Sequence, residues 1–229
     1  MKLFLASQDL GDHAETLQKM VGDQRRAFVI SNARDYYQDE AKIINSVEKT
    51  LVNLGKIGIQ ATRLDLKPYF GKELELSNLI EQTRPGLIFS IGGSPFCLST
   101  AMHASGLDNI IRRLTAQDQL VYGGYSAGSM VAADNLSLYQ IKTKTSETQP
   151  LHEIPTITRS IYSLEPYRHG LGLIPQYIIP HMDRLDHIDH MHERLENINQ
   201  ANAQAICLND SNVYIVNEKD ASITKGQIL

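Results

Sequence analysis

Five short β-type runs, KLFLAS (2–7), RAFVISN (26–32), IQATRLDL (59–66), GLIFSIGG (86–93) and LVYGGY (120–125), alternate with segments of a different rhythm. Those segments, 12–22, 38–54, 72–82 and 96–117, carry apolar residues every three to four positions and read as helices. Runs this apolar need cover on both faces, and strands alternating with helices supply that cover in a parallel sheet. The expected fold class is therefore α/β, a three-layer sandwich with a mostly parallel central sheet. At 229 residues, without repeat, low-complexity stretch or linker, the chain is expected to form one domain over 1–229.

The rhythm changes near residue 135. Residues 137–160, SLYQIKTKTSETQPLHEIPTITRS, are polar, Thr-rich and interrupted by Pro150 and Pro155. They read as a long surface excursion, and 140–160 is expected to gate a pocket. A strand, QYIIP (176–180), and a charged helix over about 184–200 follow. The last elements, QAICLN (204–209) and VYIVN (213–217), read as two strands joined by a tight connection through DSN.

A net charge of −4, with only the short pairs Arg25/Arg26 and Lys142/Lys144, leaves no basic track, so no nucleic-acid partner is expected. No stretch reaches the roughly 18 apolar residues of a membrane span, and the N-terminal apolar run is too brief for a signal peptide. Cys97 and Cys207 both lie in apolar segments and read as buried thiols. A cytoplasmic protein with no membrane partner is expected.

The stretch VYGGYSAGSM (121–130) places Ser126 where a strand turns into a helix. Reacting groups in α/β sheets gather at such carboxyl ends. Gly124 and Gly128 leave room for a sharp turn, and the N–H of Ala127 lies beside the serine. A second glycine pair, Gly92 and Gly93, ends the preceding strand and could add an N–H to an oxyanion hole. The same residues also suit a plain strand-to-helix turn with Pro95 at the first helical position.

A serine hydroxyl needs a base, and histidine is the usual one. His181, just past QYIIP, falls on the expected edge. Asp183 and Asp210 are both candidates for the acid that orients it. His187 and His190 share a helix face with Asp183 or Asp186 one turn earlier, so a metal site is an alternative; His192 points elsewhere and no HExxH pattern is present.

Together these residues resemble the dipeptidase E family, the S51 serine peptidases that include aspartyl dipeptidases and cyanophycinase. GGSPF (92–96) is similar to the family's Gly-Gly-Asn-Thr-Phe loop, GYSAGS (124–129) to its nucleophile turn, and GLGLIPQYIIPH (170–181) to its histidine segment. ICLNDSN (206–212) aligns with the family's Leu-x-Glu-Gly turn, with Asp210 for Glu. The resemblance implies a fold like class I glutamine amidotransferases and a triad of Ser126, His181 and Asp210. It also implies oxyanion donors from Gly93 (or Gly92) and Ala127. Two positions depart from the pattern: Ser94 stands for Asn, and Met191 stands where aspartyl dipeptidases carry an arginine. Arg168 and Arg184 are the basic residues considered as substitutes.

The expected function is a serine-type peptidase or amidohydrolase acting on small peptides through an acyl-enzyme, with no cofactor or metal and with homodimerisation open. A ligand-binding relative without catalysis and a metal-dependent hydrolase on the His187/His190 helix are the alternatives.

Overall fold

The computed structural model describes residues 1–37, 39–141, 155–186, 188–217, 220–224 and 227–228. Each of the five leading runs forms a strand: β1 (Lys2–Ala6), β2 (Arg26–Ile30), β3 (Gln60–Leu64), β4 (Leu87–Ser90) and β5 (Val121–Tyr125). Later come β6 (Tyr177–Ile179), β7 (Ala205–Cys207), β8 (Val213–Asn217), β9 (Asp220–Thr224) and β10 (Gln227–Ile228). The main sheet has the order β3-β2-β4-β5-β1-β8-β9. Its pairs from β3 through β1 are parallel, and β8 and β9 are antiparallel additions. A smaller sheet has the order β10-β7-β6.

Helices cover both faces of the main sheet. Successive strand side chains point to opposite faces: Phe4, Ala6, Val29 and Phe89 pack with α1 (Ala14–Val21) and α2 (Glu40–Lys56). Leu3, Leu5, Ile30 and Ile88 pack with α3 (Glu73–Thr83), α4 (Pro95–Ser105), α5 (Leu107–Ala116) and α6 (Ala127–Met130). Helices α7 (Ile157–Tyr162) and α8 (Ile188–Gln200) lie later in the chain, on either side of β6. Among the described residues, no helix is long and apolar enough to cross a membrane.

Two sequence readings need correction. The segment 96–117 is two helices, because Gly106 adopts φ +78° and ends α4. The apolar period runs on through both because Met102, Leu107 and Ile110 join the same core, which hides the break. QAICLN and VYIVN are two strands joined by a short turn, as read, but they do not form a hairpin: β7 pairs with β6 and β10, while β8 pairs with β1 and β9. Both runs are buried, and periodicity does not say which strand a buried strand faces. The charged helix begins at Ile188, after turns in which Arg184 N–H donates to the His181 carbonyl at 3.1 Å.

Much of the expected pocket-gating stretch, 142–154, lies outside the described residues. Where the chain returns, Tyr162 of α7 donates to Asp35 Oδ2 at 2.8 Å and meets Phe70 edge-on at 5.4 Å. Arg112 donates to the carbonyls of Gly170 and Leu171, both at 3.0 Å. Both cysteines are free and buried, as read, and burial pushes the Cys97 thiol up to about 12.

Phe4, fully buried in β1, sits between two flanking strands, which cannot collapse to fill a hole. Phe4→Ala is expected to lower the unfolding free energy by about 3–5 kcal/mol, measured by urea denaturation.

Candidate active site

Strand direction decides which residues meet. The carboxyl ends of β1, β4 and β5 lie on one edge, bringing Ser7, the Gly92–Gly93 loop and Ser126 close together. Because β8 runs antiparallel to β1, its start lies on that edge, with Val213 opposite Ala6. Asp210, just before β8, arrives with it. In the smaller sheet β6 and β7 are parallel, with Ile179 opposite Cys207. The residues leaving these strands therefore travel together: Leu208 N–H donates to the Ile179 carbonyl at 2.8 Å, and Met182 N–H to the Leu208 carbonyl at 3.1 Å. His181 is thereby carried to Asp210.

His181 Nε2 lies 3.0 Å from Ser126 Oγ, and His181 Nδ1 lies 2.5 Å from Asp210 Oδ1. A carboxylate can only accept, so the proton between His181 and Asp210 belongs to Nδ1. That tautomer leaves Nε2 free to accept from the serine hydroxyl. Asp183, the other acid considered, supports the turn instead: its Oδ1 accepts the Asp210 N–H at 2.9 Å.

Ser126 occupies a sparsely populated backbone region, φ +51° and ψ −115°, of the kind that costs about 1–3 kcal/mol. It persists because both ends of its peptide groups are held. Its N–H donates to the carbonyls of Ala6 (3.1 Å) and Ser7 (2.9 Å), and its carbonyl accepts from Ser129 and Met130 N–H, both at 2.9 Å. Gly128 is required for contact rather than conformation: a Cβ there would lie 2.2 Å from the Ser90 carbonyl oxygen. His181 is also left-handed, φ +63°, and its N–H donates to Ser7 Oγ at 2.8 Å.

The glycine loop is held from the 32–35 turn. Ser94 N–H donates to the Ala33 carbonyl at 2.7 Å, and a Cβ on Gly93 (φ +151°) would strike that same oxygen at 2.3 Å. Arg34 Nε donates to the Gly92 carbonyl at 2.9 Å. Carbonyl and N–H point in opposite directions across a trans peptide, so fixing the Gly92 oxygen also fixes the Gly93 N–H. Ser94, which departs from the family loop, is the N-cap of α4: its Oγ accepts the Cys97 N–H at 3.3 Å, with Pro95 next. Ala127 opens α6, where no earlier helical carbonyl can accept its N–H.

Ser126 and His181 line a cleft of about 420 Å³. Four cationic side chains, Arg34, Lys49, Arg184 and Arg194, share the lining, and none of its described residues is Asp or Glu. Arg194 was missed by the sequence reading. It is 5% exposed, and its Nε donates to the Tyr139 carbonyl at 3.2 Å. The signal was available, since Arg194 falls in step with Met191 and Ile198 on the buried face of α8. Met191 and Arg184 reach the cleft, whereas Arg168 is not among its lining residues and donates to Gln140 Oε1 at 2.9 Å. His187 lies outside the described residues; His190 is buried and His192 exposed. No group of three or more metal-ligating side chains occurs among the described residues.

A mostly parallel sheet with helices on both faces carries a serine, a histidine and a carboxylate in contact at its edge, an arrangement that α/β hydrolases of several activities share. The sequence model of peptidase family S51 matches residues 3–224, and the chain belongs to that family. Its fold is similar to that of a candidate peptidase E from Listeria monocytogenes EGD-e, with a TM-score of 0.72 and 17% identity over 97% of each chain. A peptidase from an acI-B1 Actinobacterium is similar over 100% of this chain and 93% of its own, with a TM-score of 0.63 and 16% identity. No curated protein sequence matches the chain.

Gly128→Ala forces a Cβ against the backbone that bears Ser90. The substitution is expected to cost about 1–3 kcal/mol of stability and to lower peptidase activity further than stability alone explains. Thermal melts beside hydrolysis rates at a temperature where the variant is folded measure both.

Proposed function

We propose that the protein is a serine-type peptidase that hydrolyses small peptides through an acyl-enzyme. One observation carries this reading: the continuous contact chain from Ser126 Oγ through both ring nitrogens of His181 to Asp210 Oδ1. His181 Nε2 takes the hydroxyl proton as Ser126 Oγ attacks the scissile carbonyl. Asp210 holds the ring tautomer and stabilises the imidazolium as it forms. The N–H groups of Gly93 and Ala127 stabilise the tetrahedral oxyanion, the former aimed by the bond from Arg34 to Gly92. The imidazolium then gives its proton to the leaving amine. Water, activated by the same nitrogen, releases the acid product and restores Ser126.

The cleft favours a short, anionic substrate. Its volume suits a dipeptide-sized ligand; of its four cations, Lys49 lies 3.5 Å from Asp9 Oδ2 and Arg184 is paired with Asp186 at 2.7 Å, while Arg34 and Arg194 are the ones that attract a substrate carboxylate. Arg194 and Arg184 border the cleft beside Met191, so a cation is at hand although the family's arginine position holds methionine.

Amine release from dipeptides with N-terminal Asp, Glu or neutral residues tests the reading. Acidic members are expected to be cleaved faster, and Ser126→Ala to lose at least ~10³-fold in kcat. Chelator is expected to have no effect. Activity that survives in Ser126→Ala, or that disappears with chelator and returns with zinc, contradicts the mechanism.

A further inference from the structure

We propose that Ser7 is a positioning residue that holds all three members of the triad; this rests on the serine-peptidase reading above. Ser7 follows β1 and is 0% exposed. Its carbonyl accepts the Ser126 N–H at 2.9 Å, and its Oγ accepts the His181 N–H at 2.8 Å. The same Oγ lies 3.2 Å from Asp210 Oδ1 and 3.4 Å from the Leu208 carbonyl. It has one proton to give, and the carboxylate is the stronger acceptor. Ser7 N–H donates to the Asn212 carbonyl at 3.1 Å, which ties the strand end to the turn bearing Asp210.

The hydroxyl thus accepts from the backbone of the base while donating to the acid oxygen that faces the base. Both bonds matter because the geometry they oppose is strained. His181 holds φ +63°, and its N–H bond to Ser7 Oγ resists relaxation that would swing the imidazole away from Ser126. Alanine at position 7 removes the acceptor for that N–H and the donor for Asp210 together, while the backbone bond to Ser126 stays. Ser7 is not among the cleft-lining residues, so substrate binding is untouched. The loss falls on the reacting geometry.

The test compares wild type, Ser7→Ala, Ser7→Thr, Ser7→Cys and Ser126→Ala. It reads kcat and KM on the best dipeptide, and the rate of covalent reaction with a small fluorophosphonate. Ser7→Ala is expected to lose ~100-fold in kcat with KM within about twofold, and to slow phosphonylation in parallel. Ser7→Cys keeps the size but has a poor hydrogen-bonding group, and is expected to be similarly slow; it answers the question if Ser7→Ala does not fold. Ser7→Thr keeps the hydroxyl and is expected to recover most of the rate. Wild-type rates in Ser7→Ala or Ser7→Cys, a change confined to KM, or Ser7→Thr as slow as Ser7→Ala would overturn the assignment. If wild type reacts with the phosphonate no faster than Ser126→Ala, the serine reading itself fails, and the role of Ser7 with it.

Discussion

Two side chains at the sheet edge, Ser126 and His181, sit on positive-φ backbone that non-glycine residues avoid, and both give their N–H groups to the end of β1. Ala6 and Ser7 receive the first and the Ser7 hydroxyl receives the second. Those bonds cannot be traded for water in a buried setting without loss, which is why the strained conformations survive. They also explain why β1 is an interior strand: it must be fixed by β5 on one side and β8 on the other before its last residues can hold anything else.

The second requirement is that two sheets meet there. The 208–212 segment leaves β7 in the smaller sheet and enters β8 in the larger one. Asp210 lies on that crossing, so it is neighbour to His181 through one sheet and to Ser7 through the other. The 32–35 turn plays a comparable part for the glycine loop. Its Ala33 carbonyl and Arg34 guanidinium hold Ser94 and Gly92, while Asp35 receives Asn32 and Tyr162. Burial raises the Asp35 carboxyl above its ordinary range, moderated by the Asn32 and Tyr162 hydrogen bonds and by Lys67. The glycine loop beside Ser126 is therefore tied to α7, the described end of the excursion.

Much of this was legible in the sequence where a local pattern carries the information. The five parallel strands follow from apolar runs flanked by helical periods, and the sharp strand-to-helix turn at Ser126 from the small residues around it. What was not legible depends on partners far away in the chain. Nothing in QAICLN or VYIVN says that they face different sheets. As turn residues Asp183 and Asp210 look alike, and it is the family resemblance that favours Asp210; strand pairing brings Asp210 to the imidazole and gives Asp183 a backbone N–H. Ser7 looked like an ordinary strand end, and its neighbours come from positions 126, 181 and 210. Arg194 could have been found, because a cation in step with Met191 and Ile198 is out of place on a buried helix face. Ser94, read only as a departure from the family loop, ties that loop to Ala33 through its N–H and caps α4 with its side chain.

The central claim is that Ser126 is the nucleophile, and the most direct measurement is mass mapping of the covalent adduct formed with a fluorophosphonate. The expected result is one adduct per chain, carried by the peptide containing Ser126 and absent when the protein is first unfolded. No adduct, or an adduct on a different residue while peptide hydrolysis proceeds, would contradict it.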